Sequence, residues 1–143
     1  MNCPVRLMKR WMSRPVLIAP LDVRLPRGDE ADEAVDTVVQ PDLLVVCDPA
    51  RIDERGVPDW IIEVLSPATA AHDQVRKRDL YETAGVREYW LVHPTDRIVT
   101  VYRLENGHYG RPDIAELAGE TATQAVPGLV IDWARATRRL PAL

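Results

Sequence analysis

QPDLLVVC over 40–47, DWIIEVLSP over 59–67 and HDQVRKRDLYETAGVREYW over 72–90 are the runs that decide the fold. Two apolar runs each carry one carboxylate, Asp42 and Glu63, and a helix-like run then sets Asp73 and Lys77 four residues apart. LLVVC is continuously apolar, as expected of a strand covered on both faces. Side chains alternate along WIIEVL, so Glu63 shares a face with Ile61 and Leu65, while Trp60, Ile62 and Val64 take the other. An ionised carboxylate in such a strand is strongly unfavourable without a cation, a metal or a proton beside it. Asp42, at the start of its strand, has two readings. It is either a turn residue satisfied by nearby backbone N–H groups or a partner of Glu63 in one site.

Ser66-Pro67 ends the second strand, Thr69 is placed to cap the next helix, and Gly85 to stop it near Ala84. Counted at 100° per residue from Asp73, Lys77 falls near ~40°, Leu80 near ~−20° and Ala84 near ~20°. This stripe is expected to face the sheet, with Arg78, Asp79 and Glu82 pointing away. Lysine is scarce: of 18 Lys plus Arg, only Lys9 and Lys77 are lysine. A compact ammonium approaches a water or a phosphate oxygen in a way that a guanidinium fork does not. Lys77 on the inward stripe therefore reads as a residue with a chemical task. The plainer reading is a structural ion pair that rescues Glu63. A divalent cation would also rescue it, since Mg²⁺ is held by one or two carboxylates plus water and phosphate oxygens.

Working outward, residues 5–14 place Leu7, Met8, Trp11 and Met12 at helical spacing against Arg6, Lys9 and Arg10, and Pro15 ends the run. Val16 to Leu25 is extended in character, and Pro20 restricts it to a sheet edge or a bend. The acidic segment 27–36 lacks regular ligand spacing and reads as a solvated loop. Thr37 to Cys47 is the next strand. Beyond the helix, Glu88–Val92 and Ile98–Leu104 form a hairpin about a turn at His93–Asp96, and Asn106-Gly107 is a second turn. Short strands follow at Ile114–Leu117, Ala122–Val126 and Leu129–Asp132, the last two about Pro127-Gly128, with a terminal helix over Trp133–Leu140. The order describes a mixed α/β domain whose most buried strands carry the acids.

With 143 residues the chain fits a single domain, and 46% apolar with 28% charged residues is ordinary for a globular protein. The net charge of −4 excludes a uniformly basic nucleic-acid binder, so phosphate contacts rest on local patches or on bound metal. Cys3 and Cys47 lie too differently in the pattern for a disulfide, and no Cys/His spacing suggests zinc. A reducing cytoplasm is the expected compartment. No apolar run approaches the ~18 residues of a membrane span. Ser66 has no His/Asp constellation for a serine hydrolase. A two-carboxylate glycosidase leaves Lys77 without a task. His72, His93 and His108 fall in loops or turns, and Trp60, Tyr89 and Trp90 read as core residues.

QPDLLVV, EVLSPATAAHD and KRDLYETAGVREYWLV closely resemble the Uma2-like endonuclease family, formerly classed as a domain of unknown function, within the PD-(D/E)xK nuclease superfamily. The resemblance runs from about Val23 to Leu129. It implies a restriction-endonuclease-like mixed β-sheet flanked by helices. Pro41-Asp42 matches the first part of the superfamily signature and Glu63-Val64 the start of the second. Leu65 stands where that signature has its lysine. In this family's pattern the lysine comes from the following helix, and Lys77 matches it, as the helical phase independently allows. The resemblance thus implies a Mg²⁺ or Mn²⁺ site at Asp42 and Glu63, with Lys77 catalytic and DNA as substrate. Asp73 and Tyr81 match recurring positions and are expected to position Lys77 or a water on the metal. Nuclease domains that cut both strands often pair, so a homodimer is a further expectation.

Family members begin with an additional helix-and-strand unit that bears a glutamate. The resemblance therefore implies an N-terminally shortened domain, with 1–14 a residual helix and 15–143 the core. It also supplies the alternative to an endonuclease: a nuclease-fold module that lacks one ligand and acts in binding or assembly.

Overall fold

The computed structural model describes residues 16–18, 23–24, 38–39, 42–46, 57–66 and 71–137. The helix expected over 5–14, the acidic loop, the capping role of Thr69, both cysteines and the end of the terminal helix lie outside the described residues.

The first five strands are β1 (Val16–Ile18), β2 (Val23–Arg24), β3 (Val38–Val39), β4 (Leu43–Val45) and β5 (Trp60–Val64). Helix α1 (Ala71–Ala84) follows, then β6 (Glu88–His93), β7 (Ile98–Glu105), β8 (His108–Tyr109) and β9 (Asp113–Glu116). The chain continues through β10 (Glu120–Ala122), β11 (Val130–Asp132) and α2 (Trp133–Ala136).

The main sheet runs β1-β4-β5-β6-β7-β8, with β9 also paired to β7. It is mixed: β5 and β6 are parallel and every other pair in it is antiparallel. A parallel pair requires a crossover, and α1 provides it. Within the segment expected to be extended, β1 borders β4 at the edge of the described sheet, while β2 pairs separately with β3.

Alternation along the central strands divides the core in two. Val45, Trp60, Trp90, Val92, Val99, Val101 and Trp133 pack on one face, with Ile62 against them. Leu44, Val46, Ile61, Tyr81, Val86, Tyr89 and Leu91 pack on the other, joined by Leu65, Leu80 and Ala84. The second face is the one α1 covers, as the phase of its inward stripe requires. Gly85 ends α1 in the left-handed region at φ 89°, and the N–H groups of Gly85 and Val86 both return to the Tyr81 carbonyl. This closing turn needs a residue without a Cβ penalty.

Asn106 and Gly107 both have positive φ (52° and 81°), as a type I′ hairpin requires, and they close β7 onto β8. One strand was expected too late. The strand is β10, Glu120–Ala122, paired with β11, and residues 123–126 are not part of one. The reason is a side chain: the N–H groups of Gln124 and Ala125 donate to the Glu88 carboxylate at 2.8 Å each, which takes them out of any ladder. Among the described residues, no helix is long and apolar enough to cross a membrane.

Candidate active site

Glu63 lies on the α1 face of β5 and is buried, 6% exposed. Its two oxygens are held by different residues of one helix. The Tyr81 hydroxyl donates to Oε1 at 2.7 Å, and the Lys77 ammonium lies 3.3 Å from Oε2. Lys77 and Tyr81 are four residues apart, so they stack on the same face of α1 and reach the same carboxylate. Asp73, one turn before Lys77, places Oδ2 at 3.6 Å from the ammonium. An acid in the first turn of a helix is itself favoured by the helix dipole.

Asp42 immediately precedes β4. The β4–β5 register pairs Leu43 with Ile62, so one step further sets Asp42 opposite Glu63, where paired side chains share a face. Its Oδ2 accepts a 2.7 Å hydrogen bond from the Val64 backbone N–H. The backbone contact satisfies Asp42, and the register sets it opposite Glu63.

The electrostatics follow from this packing. Burial raises the Glu63 pKa above its ordinary value, the Tyr81 hydroxyl and Lys77 ammonium oppose the rise, and the Asp42 carboxylate adds to it. Burial and the neighbouring Glu63 push the Tyr81 phenol far up, so it stays a donor at neutral pH. Two carboxylates facing one another across strands repel. A cation between them removes that cost, and hard oxygen donors, one buried and one exposed, suit Mg²⁺ or Mn²⁺. The residues present thus fit two ligands of a divalent cation. Among the described residues, no group of three His, Cys, Asp or Glu forms a metal cluster.

Asp42, Glu63, Asp73, Lys77 and Tyr81 are therefore brought together. The Tyr81 hydroxyl engages Glu63 itself. Glu82 departs from expectation: it turns not to solvent but to β8, accepting from the Tyr109 N–H at 2.6 Å. The histidines stay apart from this centre. His72 is exposed on α1, His93 bonds Thr100 at 3.2 Å, and His108 is exposed at the start of β8.

A buried carboxylate that sequence reasoning missed, Glu88, lies at the start of β6 on the opposite face. It accepts from Trp90 Nε1 at 2.6 Å, Thr123 Oγ1 at 3.0 Å and the N–H groups of Gln124 and Ala125. Its partners lie 35 to 37 residues along the chain, apart from Trp90, so no local pattern reveals them. Asp59, also buried, pairs with Arg87 at 3.5 Å at the far end of α1.

None of the curated proteins compared matches the chain. Among solved structures it is similar to a crystal structure from Anabaena variabilis ATCC 29413, described as a putative nuclease belonging to DUF820. The two are 20% identical with a TM-score of 0.61, over 84% of this chain and 65% of that one. At that identity the likeness establishes the fold, and the chain spans just under two thirds of that protein's length. The family model described as Uma2, putative restriction endonuclease, matches residues 5–135 and so takes in every described strand and the whole of α1. The chain therefore belongs to the Uma2 family.

Proposed function

We propose that the protein is a metal-dependent endonuclease that hydrolyses DNA phosphodiester bonds at the Asp42–Glu63–Lys77 centre. The observation that carries this reading is the Lys77 ammonium, 3.3 Å from Glu63 and 3.6 Å from Asp73, on the face where Asp42 stands opposite Glu63. Asp42 and Glu63 would hold Mg²⁺ or Mn²⁺. When bound, such a cation supplies Lewis acidity toward the phosphate and lowers the pKa of coordinated water.

The chain's own residues do the rest. Lys77 is partly exposed (26%), so its charge reaches solvent while its stem is fixed on the buried side of α1. From there it faces a phosphate oxygen or the attacking water and stabilises negative charge as it develops. Asp73 restrains the ammonium from one side. The Tyr81 hydroxyl holds the Glu63 carboxylate in one orientation, and the Val64 N–H does the same for Asp42. Cutting both strands of a duplex calls for two such centres, so this reading includes pairing of two copies.

Removal of one electrostatic contributor typically lowers rate by about 10²–10³. Lys77→Ala is therefore expected to reduce Mn²⁺-dependent nicking of supercoiled plasmid by at least that factor, with an unchanged circular dichroism spectrum. Undiminished nicking by the folded variant refutes the assignment. A second reading has its own support, because both Glu63 oxygens are already engaged within the protein, as in a structural ion pair. It describes a nuclease-fold module that binds or assembles without cutting. Calorimetric titration with Mn²⁺ separates the two: binding heat lost in Glu63→Gln supports the nuclease, and no Glu63-dependent heat supports the module.

A further inference from the structure

Asp73 holds two cations rather than one. Its Oδ2 faces Lys77 at 3.6 Å and its Oδ1 faces the Arg76 guanidinium at 3.9 Å. The spacings i,i+3 and i,i+4 put Arg76 and Lys77 on either side of the same acid. Lys77 turns inward toward Glu63, whereas Arg76 is 58% exposed. Both contacts are longer than a charged hydrogen bond. Exposed pairs of this kind are worth at most about 1 kcal/mol, so stability does not account for them. They are cations kept in place but weakly held, and a stronger anion would displace the acid.

We propose that Arg76 is a DNA-backbone contact, and that Asp73 spaces Arg76 and Lys77 for neighbouring phosphates of one strand. This rests on the nuclease reading of Lys77, and adds a binding residue outside the reacting centre. Each cation lies within 4 Å of an oxygen of the same carboxylate. A DNA strand carries one charge per nucleotide, so two cations held by one acid can each take a phosphate of the same strand. Arg76 also lines, with His72, Val75, Asp79, Leu80 and Thr83, an open groove of about 490 Å³ along one flank of α1. The groove therefore begins one residue from the centre. A guanidinium at its lip binds a phosphate through a planar fork, and Asp73 becomes a gatekeeper that must release both cations as DNA seats.

The test is fluorescence anisotropy of a short labelled duplex and its single strand, in EDTA, as a function of KCl. Loss of one phosphate contact lowers the log–log salt slope by about 0.9 for duplex or about 0.7 for a single strand. Arg76→Ala is expected to show that decrease with weaker binding to every sequence tried. Asp73→Asn, which removes the competing anion, is expected to tighten binding. Arg87→Ala, an exposed arginine paired with Asp59 beyond the other end of α1, serves as the control for general charge loss. An unchanged slope in Arg76→Ala, or one equal to that of Arg87→Ala, overturns the proposal. The two readings fail separately. A wild type that nicks plasmid but whose binding ignores Arg76 removes only this inference, and one that binds through Arg76 but never cuts removes only the nuclease.

Discussion

Glu88→Gln tests whether the face opposite the candidate active site is held by a single carboxylate. Glu88 is 1% exposed and accepts four hydrogen bonds, one on Oε1 and three on Oε2. Glutamine keeps the shape but has one oxygen in place of two. In its better orientation that oxygen faces Thr123, Gln124 and Ala125, and the amide NH₂ then points at the Trp90 indole N–H. Two donors meet, and the buried indole loses its acceptor at about 1–3 kcal/mol. The three remaining bonds weaken because they no longer end on a charge, by about half each. Relief of the buried charge offsets part of this, leaving a net loss of about 2–4 kcal/mol. At about 2–4 °C per kcal/mol for a chain near this size, the melting temperature should fall by about 5–15 °C. Thermal and urea unfolding followed by tryptophan fluorescence measures it. A fall under about 2 °C, with the Trp90 environment unchanged, refutes the idea that this carboxylate organises the 123–125 loop.

Two other outcomes follow from the site. Tyr81→Phe deletes the 2.7 Å donor to buried Glu63 and should cost about 1.5–3 kcal/mol in urea unfolding; a loss below about 0.5 kcal/mol would show that the hydroxyl does not hold the carboxylate. The pH dependence follows from the raised Glu63 pKa: the folded state binds this proton more tightly than the unfolded chain. The stability it contributes is full below the unfolded value near 4.3 and is lost as pH rises through the folded one. In metal-free buffer, wild type should therefore lose stability relative to Glu63→Gln as pH rises from about 4 toward neutrality, and a constant difference between the two contradicts this.

The β5 alternation and the α1 phase were legible because both depend on near neighbours in the chain. They place Glu63 on the helix-covered face and turn Lys77 toward it, and the structure has both. Tyr81 was legible as a position but not as a contact. Its wheel angle lies at the margin of the inward stripe, and only the depth of Glu63 beneath α1 decides that its hydroxyl reaches the carboxylate. Glu82 failed for a related reason. The Asn106-Gly107 turn could be read, but not that β8 would fold back over α1 and present the Tyr109 N–H. Glu88 carried no signal, because three of its four donors come from a loop more than thirty residues away. That same capture explains why the strand expected at 122–126 ends early.

The division of the core also sorts its chromophores. Trp60, Trp90 and Trp133 share one face, with Trp60 and Trp90 edge-on at 4.9 Å, while Tyr81, Tyr89, Tyr102 and Tyr109 gather on the other. These are all four tyrosines of a chain that has no phenylalanine. Its two faces can therefore be observed in different bands of one near-ultraviolet spectrum. Tyrosine signals report events around Glu63, and the signals of three of the four tryptophans report the face tied down by Glu88. A ligand that settles at the carboxylates would shift the first and leave the second still, separating occupancy from unfolding without any added label.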